Sequence, residues 1–392
     1  MRILLIASEF PNPFQSSRGV YNWHTARALA RKHDVAVVAA LPWRDELRVR
    51  PPGTPFRRSR VVEGIEVHHP RFYYPPGVLR NAYGSFLWWS VARTVREVVA
   101  RLRPGIVTSY WLHPDGEVAL RAAGLARVPA VVMSGGSDVL VLARNDRRRK
   151  QIRQVLCRAD AAVFVSEHLA RAASQLDIGE VPTYVVRRGV DAACFHPGSR
   201  EEARRELGLA PGRRALLWVG NMVPVKGLDV LIDACAMIDR QGVDYVLYLV
   251  GGGPTRQAIA EQARSAGIGA RVCFPGVVPH DRLAHWYRAA DVTVLSSWSE
   301  GVPNVLLESM SCGTPFVASD VGGVAEIADE HLDRLVPAGD ARALAQALVD
   351  VLQARPAASR QRMPSSWEDS AAALEDIYVQ TIARGRRHPA PE

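Results

Sequence analysis

Apolar and polar residues alternate along this chain at two scales. Short, mostly aliphatic runs punctuate its first half: RILLIAS (2–8), VAVVAAL (35–41), GIVTSY (105–110), AVVMSG (130–135), AAVFVS (161–166) and TYVVRRG (183–189). Longer stretches with helical spacing, such as VYNWHTARALARKH (20–33), lie between them. Strand-length apolar runs separated by helices are the pattern of parallel βαβ units, whose strands are covered on both faces and need no polar alternation. A second series opens with ALLWVG (215–220) and continues through YVLYLVGGG (245–253), VCFPGVV (272–278), VTVLSS (292–297) and TPFVASD (314–320). Between the two, DAACFHPGSREEARRELGLAPGRR (191–214) reads as a linker with one short helix. The pattern predicts an α/β chain of two doubly wound, Rossmann-like domains, 1–198 and 199–365. Residues 366–392 are expected to form a helix packing back on the first domain, ending in a frayed ARGRRHPAPE tail.

Composition narrows the class. A chain of 392 residues, 48% hydrophobic and 23% charged, has room for about two domains and the balance of an ordinary folded protein. Its five cysteines (Cys157, Cys194, Cys235, Cys273, Cys312) show no CxxC pair and no histidine at metal-ligand spacing. Neither a zinc site nor a disulfide framework is expected, and a reducing cytoplasm is. ILLIA is too short for a signal-peptide core, and AYGSFLWWSVARTVREVVARL is broken by Arg93 and Arg96 short of a membrane span. The net charge of +9 is uneven: residues 1–198 hold 29 Lys+Arg against 16 Asp+Glu, the remainder 20 against 24. The basic half reads either as solvated surface or as a face toward an anionic membrane surface or phospholipid-like acceptor. Nucleic acid is not expected, since no binding motif accompanies the charge. Arg147 to Lys150 and the arginines of RVRPPGTPFRRSR are the expected anionic contacts. Trp88 and Trp89 are read as interfacial anchors or as part of a buried helix face.

Candidate chemistry gathers at predicted strand ends, where doubly wound sheets bind ligands. In VTVLSSWSEGVPNVLLESMSCG a strand, a loop and a helix follow one another, placing Glu300 in the loop, Pro303 near the first helical position and Glu308 about one turn inside. A loop carboxylate can accept hydrogen bonds from sugar hydroxyls, and one deeper on the helix can grip a ribose diol. Spacing alone also allows Glu300 to cap the helix and Glu308 to be solvated. LLWVGNMVPVKGLDVLIDA sets Lys226 and Gly227 between strand and helix, where an ammonium can neutralise a diphosphate. YLVGGGPTRQAI fails GxGxxG because Arg256 stands at the last glycine position, which argues against a nicotinamide dehydrogenase. FPGVVPHDRL is expected to press the backbone of Val277 to Pro279 against a flat base.

In this order, Glu300 and Glu308 with seven residues between them, VGNMVPVKG, VGGGP, FPGVV, ASDVGGVAEI, RRGVDAACFHP, YWLHPDG and RGVYNWHTARALA resemble the retaining GT-B glycosyltransferases of family 4 over nearly the whole chain. The resemblance implies two Rossmann-like domains facing each other across a cleft. It implies sugar transfer from a nucleotide diphosphate donor, UDP- or GDP-type, with retained configuration, no cofactor and no bound metal. No DxD pair for a metal–diphosphate bridge occurs. By this likeness Glu300 and Lys226 are the catalytic pair, Glu300 holding the donor sugar and Lys226 the diphosphate. Glu308 takes the ribose, Gly301, Val302, Pro303 and Asn304 offer backbone, and Gly19 lets the diphosphate approach the first helix. The segments look most like members that build exopolysaccharide, capsule or cell-wall polymers. That implies a glycan or lipid-linked acceptor, with a soluble acceptor as the alternative, and a cytoplasmic enzyme, which a lipid-linked acceptor would make peripheral at the inner face of the membrane.

Two positions depart from the family pattern. Asn221 stands where members usually have arginine, so phosphate neutralisation rests on Lys226 or on a cation from elsewhere. Gly135, in MSGGSD, stands where many relatives carry histidine, which leaves Ser134, Asp138 or His113 to assist on the acceptor side. Asp138 also reads as a helix N-cap, Gly19 as a plain loop glycine and His113 as a plain loop histidine. These departures keep one rival open, a non-catalytic sugar-nucleotide or glycan-binding relative; a GT-B sugar-nucleotide epimerase is a second.

Overall fold

Unbroken aliphatic strands need helices on both faces. The computed structural model, which describes residues 1–16, 18–51, 54–209, 212–353, 360 and 363–387, shows this arrangement twice. Residues 210–211 of the predicted linker, 52–53 of the arginine-rich segment and 388–392 of the tail lie outside the described residues. The chain divides into two compact units: residues 1–188 with the helix Trp367–Arg384, and residues 189–366.

Among the described residues the main sheet of the first unit holds eight strands, β1 Arg2–Ile6, β2 Asp34–Val38, β3 Ser59–Val62, β4 Ile65–His68, β5 Ile106–Tyr110, β6 Ala130–Ser134, β7 Ala161–Phe164 and β8 Thr183–Val185, beside a small separate pairing of Leu41–Pro42 with Arg71–Phe72. Their order is β8-β7-β6-β5-β1-β2-β4-β3, parallel except for the edge pair β3–β4. That hairpin was not predicted. It turns on Glu63 and Gly64, both at positive φ (49° and 80°), as a tight hairpin requires. The helix Trp367–Arg384 completes the core: Leu374, Ile377 and Tyr378 are buried with Ile3, Val37 and Ile106, and Trp367 stacks on His24 at 5.3 Å. The tryptophan pair divides. Trp88 is half-buried beneath Arg96 and Arg121, whereas Trp89 is 70% exposed, so the two do not share a buried face.

The second unit is β9 Arg214–Asn221, β10 Tyr245–Gly252, β11 Val272–Gly276, β12 Val292–Leu295, β13 Phe316–Ser319 and β14 Arg334–Val336. All pairs are parallel, in the order β11-β10-β9-β12-β13-β14. This is the doubly wound order 3-2-1-4-5-6. Trp218, Leu231, Leu247, Leu249, Val294 and Leu348 form its core. The unit begins ten residues before the predicted 199, because 189–198 are tied into it: Val190 bridges Ser366, and Phe195 packs edge-on against Tyr287 at 5.9 Å. The linker helix Arg200–Glu206 is held by Arg200 and Arg204 on Asp291, at 3.0 and 2.6 Å. Among the described residues no helix is long and apolar enough to cross a membrane.

Leu374, 1% exposed, is a point at which the first unit can be loosened alone. Leu374→Ala should cost about 2–5 kcal/mol. Hydrogen exchange should speed up at 2–6 and 106–110 and stay unchanged at 214–221; equal acceleration in both units would contradict this assignment of the helix.

Candidate active site

In a 3-2-1-4-5-6 sheet the connections after the first and fourth strands leave toward opposite faces and open a crevice at the strand ends. Here those connections follow β9 and β12, and they are fastened to each other by backbone. The Trp298 N–H donates to the Val225 carbonyl at 2.8 Å, and Ser296 Oγ donates to the Lys226 carbonyl at 3.1 Å. Gly227 sits at φ 58°, where a Cβ would fall 2.1 Å from the Ser296 oxygen, so only glycine permits this approach. Lys226 Nζ then meets Glu300 Oε1 at 2.7 Å, with side chains 26% and 11% exposed. The loop after β13 braces Glu300 from behind. The Gly323 N–H donates to the Gly301 carbonyl at 2.8 Å, and a Cβ on Gly322 would lie 1.9 Å from the Glu300 oxygen.

The helix that follows, α1 Asn304–Ser311, has Pro303 as its N-cap with no side-chain cap. Glu300 is thus a partner of Lys226 rather than a helix cap, and Pro303 lies one position before the expected N1. Val302 and Pro303 are buried, so their backbone is what they can offer a ligand. Glu308 is buried too, not solvated. Its Oε2 accepts from the Tyr287 hydroxyl at 2.8 Å, and His280 Nε2 lies 3.0 Å from Oε1. Burial raises the Tyr287 pKa well above 10, with Glu308 adding to it, so this phenol stays a neutral donor. For His280, burial disfavours the charged ring, but the hydrogen bond and charge of Glu308 outweigh it and raise the pKa. Val277 stands 80% exposed just past β11, beside Gly252. Asn221 ends β9 with its amide oxygen 2.7 Å from where a Cβ on Gly253 would lie.

The first unit has its own switch point, between β1 and β5. Ser8, after β1, donates from its N–H (2.8 Å) and its Oγ (2.5 Å) to Asp115, which opens the helix Asp115–Ala126 after β5. Asp115 is fully buried, and burial pushes its carboxyl up to about 7 against the pull of Ser8. Gly19 precedes the helix Val20–Ala30 at φ 57°, where a Cβ would lie 2.2 Å from the Glu9 oxygen, so it is more than a plain loop glycine. Arg18 beside it is held by Glu9 at 2.9 Å and Asp45 at 3.2 Å.

Ser134 and Asp138 come together: Ser134 Oγ donates to Asp138 at 2.5 Å, and the Leu112 N–H donates to the other oxygen at 3.1 Å. Asp138 therefore clasps the ends of β5 and β6. It is not an N-cap, since the N-cap of Ser137–Leu140 is Gly136. His113 is buried, and burial together with the charge of Arg148 lowers its pKa to about 4. Its Nε2 has no hydrogen-bond partner among the described residues.

The sequence reading missed His280 and Tyr287 as partners of Glu308, the Ser8–Asp115 link, and Gly322. His280 did stand in FPGVVPHDRL, but the segment was read for its backbone. Ser8–Asp115 left a signal only in the position of both residues immediately past adjacent strands.

Two family profiles match: Glycosyltransferase Family 4 over residues 19–193, and Glycosyl transferases group 1 over residues 213–354. D-inositol 3-phosphate glycosyltransferase 2 of Catenulispora acidiphila is 34% identical over 303 residues, covering 71% of this chain and 70% of its own. The putative teichuronic acid biosynthesis glycosyltransferase TuaC of Bacillus subtilis is 26% identical over 364 residues, 89% of this chain and 88% of its own. Among solved structures, sucrose-phosphate synthase from Thermosynechococcus elongatus aligns with a TM-score of 0.82 at 22% identity over 98% of this chain and 100% of that one. HepE of Anabaena in complex with UDP-glucose aligns with a TM-score of 0.70 at 18% identity over 97% and 98%. The structural likeness carries the GT-B fold, and the sequence matches carry the membership: this chain belongs to glycosyltransferase family 4.

Proposed function

We propose that the chain moves a sugar from a nucleoside diphosphate donor, UDP- or GDP-type, to a glycan or lipid-linked acceptor with retention of configuration, in polysaccharide biosynthesis. The observation that carries this reading is the Lys226–Glu300 pair, 2.7 Å apart at the switch point of the second unit. That is where a doubly wound sheet receives phosphate. Support comes also from the relatives' names: HepE is described in complex with UDP and UDP-glucose, and TuaC is named for teichuronic acid biosynthesis.

The roles follow from the chemistry of the groups. Among the described residues Lys226 gives one of its three N–H donors to Glu300, leaving two for a diphosphate. Glu300 takes the donor sugar's hydroxyls. Glu308, held by Tyr287 and His280, takes the ribose diol through its remaining lone pairs. The backbone of Gly301 to Asn304 faces the sugar and phosphate, Val277 the base, and Gly19 permits close approach of phosphate to the helix after it. Asn221 cannot supply the missing guanidinium. The sugar C1–phosphate oxygen bond breaks with its electron pair on that oxygen; the acceptor oxygen bonds to C1 from the same face, and its proton passes to the departing diphosphate. With Ser134 and Asp138 engaged on each other, His113 is the acceptor-side group left to contact a hydroxyl. The site of action is the cytoplasm, at the inner face of the membrane.

A thermal-shift panel of nucleotide diphosphates tests the donor: a ligand at a hundred times its Kd adds about 2.7 kcal/mol. Lys226→Ala should weaken the best nucleotide roughly 10- to 100-fold, the value of one charged hydrogen bond. Glu300→Ala should instead lower turnover. Unchanged affinity in Lys226→Ala would remove the second unit as the donor unit.

The Glu308–His280 contact has a pH signature. Because the folded-state pKa of His280 is raised, its contribution to stability is complete below the free imidazole value of about 6.5 and is lost as pH rises through the folded value. Glu308→Gln should lower the His280 pKa in an NMR titration; no change would mean that Glu308 does not set it.

With charge neutralisation assigned to Lys226 and backbone amides, transfer should continue in EDTA. Full loss, restored by magnesium or manganese, would overturn this mechanism.

A further inference from the structure

A cavity of about 370 Å³ in the first unit is unused by the reading above; Arg80, Asn81, Arg147 and Arg148 line it together with Leu79 and Val141. No carboxylate lines it. Among the described residues none of the three arginines has an ion-pair partner, and the nearby Asp146 is taken by Arg149 at 3.3 Å. Such a concentration of guanidinium groups is self-repelling unless an anion joins it.

The setting sharpens the point. Arg147 and Arg148 stand in the first turn of the helix Asp146–Arg158, whose N-cap Asn145 accepts from the Arg148 N–H at 3.2 Å. A helix N-terminus is the positive end of its dipole and favours acidic side chains. This one opens on Asp146, paired with Arg149, and then carries Arg147, Arg148, Arg149 and Lys150 in sequence. Burial, then the charge of Arg80, lowers the pKa of Arg148, and Arg148 in turn holds down His113. Dipole, guanidinium groups and partial burial thus all favour negative charge in the cavity. It also has apolar lining at its exposed edge: Leu79 is 59% exposed and Val141 42%. No aromatic ring lines it, so it offers a nucleotide base nothing to stack on.

We propose that this cavity binds a phosphate or diphosphate group esterified to an apolar chain. The guanidinium groups of Arg80, Arg147 and Arg148 grip the phosphate oxygens, and Leu79 and Val141 receive the first carbons of the chain. This deepens the lipid-linked acceptor reading, on which it rests, by giving that acceptor's phosphate a place in the first unit.

The test titrates the full chain with inorganic pyrophosphate, with geranyl diphosphate in solution, and with phosphatidylcholine vesicles with and without phosphatidic acid. Geranyl diphosphate should bind about tenfold or more tightly than pyrophosphate, since each buried methylene adds to affinity. UDP should not displace it. Arg80→Ala with Arg148→Ala should weaken geranyl diphosphate by about tenfold or more, as loss of charged hydrogen bonds requires, while UDP affinity holds. Arg144→Ala, outside the cavity, should change nothing. Should the double variant unfold, the exposed single variant Arg147→Gln carries the same expectation. Vesicle binding that needs phosphatidic acid and is lost in the variants points to a bilayer lipid; binding confined to geranyl diphosphate points to a soluble ester, and either supports the cavity as the phosphate site. Geranyl diphosphate affinity unchanged in the variants, or displacement by UDP, overturns it. Failure of both UDP and GDP to bind the wild type would instead strike the donor reading, with the geranyl diphosphate arm still deciding the cavity.

Discussion

The second unit depends on two loops being able to touch. Parallel strands end side by side, but the chain leaves adjacent strands at the switch point toward opposite faces, so nothing in the sheet itself brings the loop after β9 to the loop after β12. Contacts onto backbone do it: the Trp298 N–H to the Val225 carbonyl, the Ser296 hydroxyl to the Lys226 carbonyl, and Gly227 at a separation no side chain would survive. Only then can an ammonium and a carboxylate from positions 74 residues apart lie 2.7 Å from one another. Gly322 applies the same constraint from the loop after β13. Without a ligand the pair keeps two charges satisfied in a partly buried place, where an unpaired one would be expensive. On the proposed reading a diphosphate competes for Lys226, and Glu300 turns to neutral sugar hydroxyls.

The first unit solves a related problem with different chemistry. Its switch point is spanned by Ser8 and Asp115, a hydroxyl and a fully buried carboxyl; burial outweighs the pull of Ser8 and the weaker one of Arg18, and the carboxyl's pKa rises to about 7. The excess arginine of this half is not spread evenly either. Arg50, Arg58 and Arg71 converge on the buried Glu46 and hold its carboxyl down to about 2, a structural use of charge. Arg80, Arg147 and Arg148 have no such partner among the described residues. The surplus of positive charge counted over residues 1–198 is thus put to more than one use: part is neutralised, as on Glu46, and part lines the cavity.

Elements that announce themselves locally were legible in the sequence. Aliphatic runs gave the parallel strands, and residues in the loops that follow them, Lys226, Glu300 and Gly19, gave the candidate site. The hairpin β3–β4 was missed because its strands are four residues each, with no long aliphatic run, and Glu63-Gly64 is not one of the Asn-Gly, Asp-Gly or Gly-Gly pairs that mark a tight hairpin. The unit boundary was placed late because proline and glycine near 197 and 198 mark a loop but say nothing of where Phe195 packs. Contacts set by tertiary approach left almost no trace: His280 and Tyr287 reach Glu308 from a separate turn and helix, and Ser134 spends its hydroxyl on Asp138.

Gly135 shows how a departure from the family pattern is read once the surroundings are known. A Cβ at this position would lie 2.1 Å from the Tyr110 hydroxyl and 2.7 Å from Arg188 Nη2. Arg188 hydrogen-bonds that hydroxyl and lies over the rings of Tyr21 and Tyr110, at 4.6 and 5.7 Å from their centroids. Such stacking fixes a guanidinium plane in a way a lysine would not match. The space a histidine side chain would need is therefore filled, and filled by a permanent cation. A glycine here means that Arg188 and Tyr110 have taken over the position, so restoring a histidine at 135 alone would displace that pair before it restored anything else.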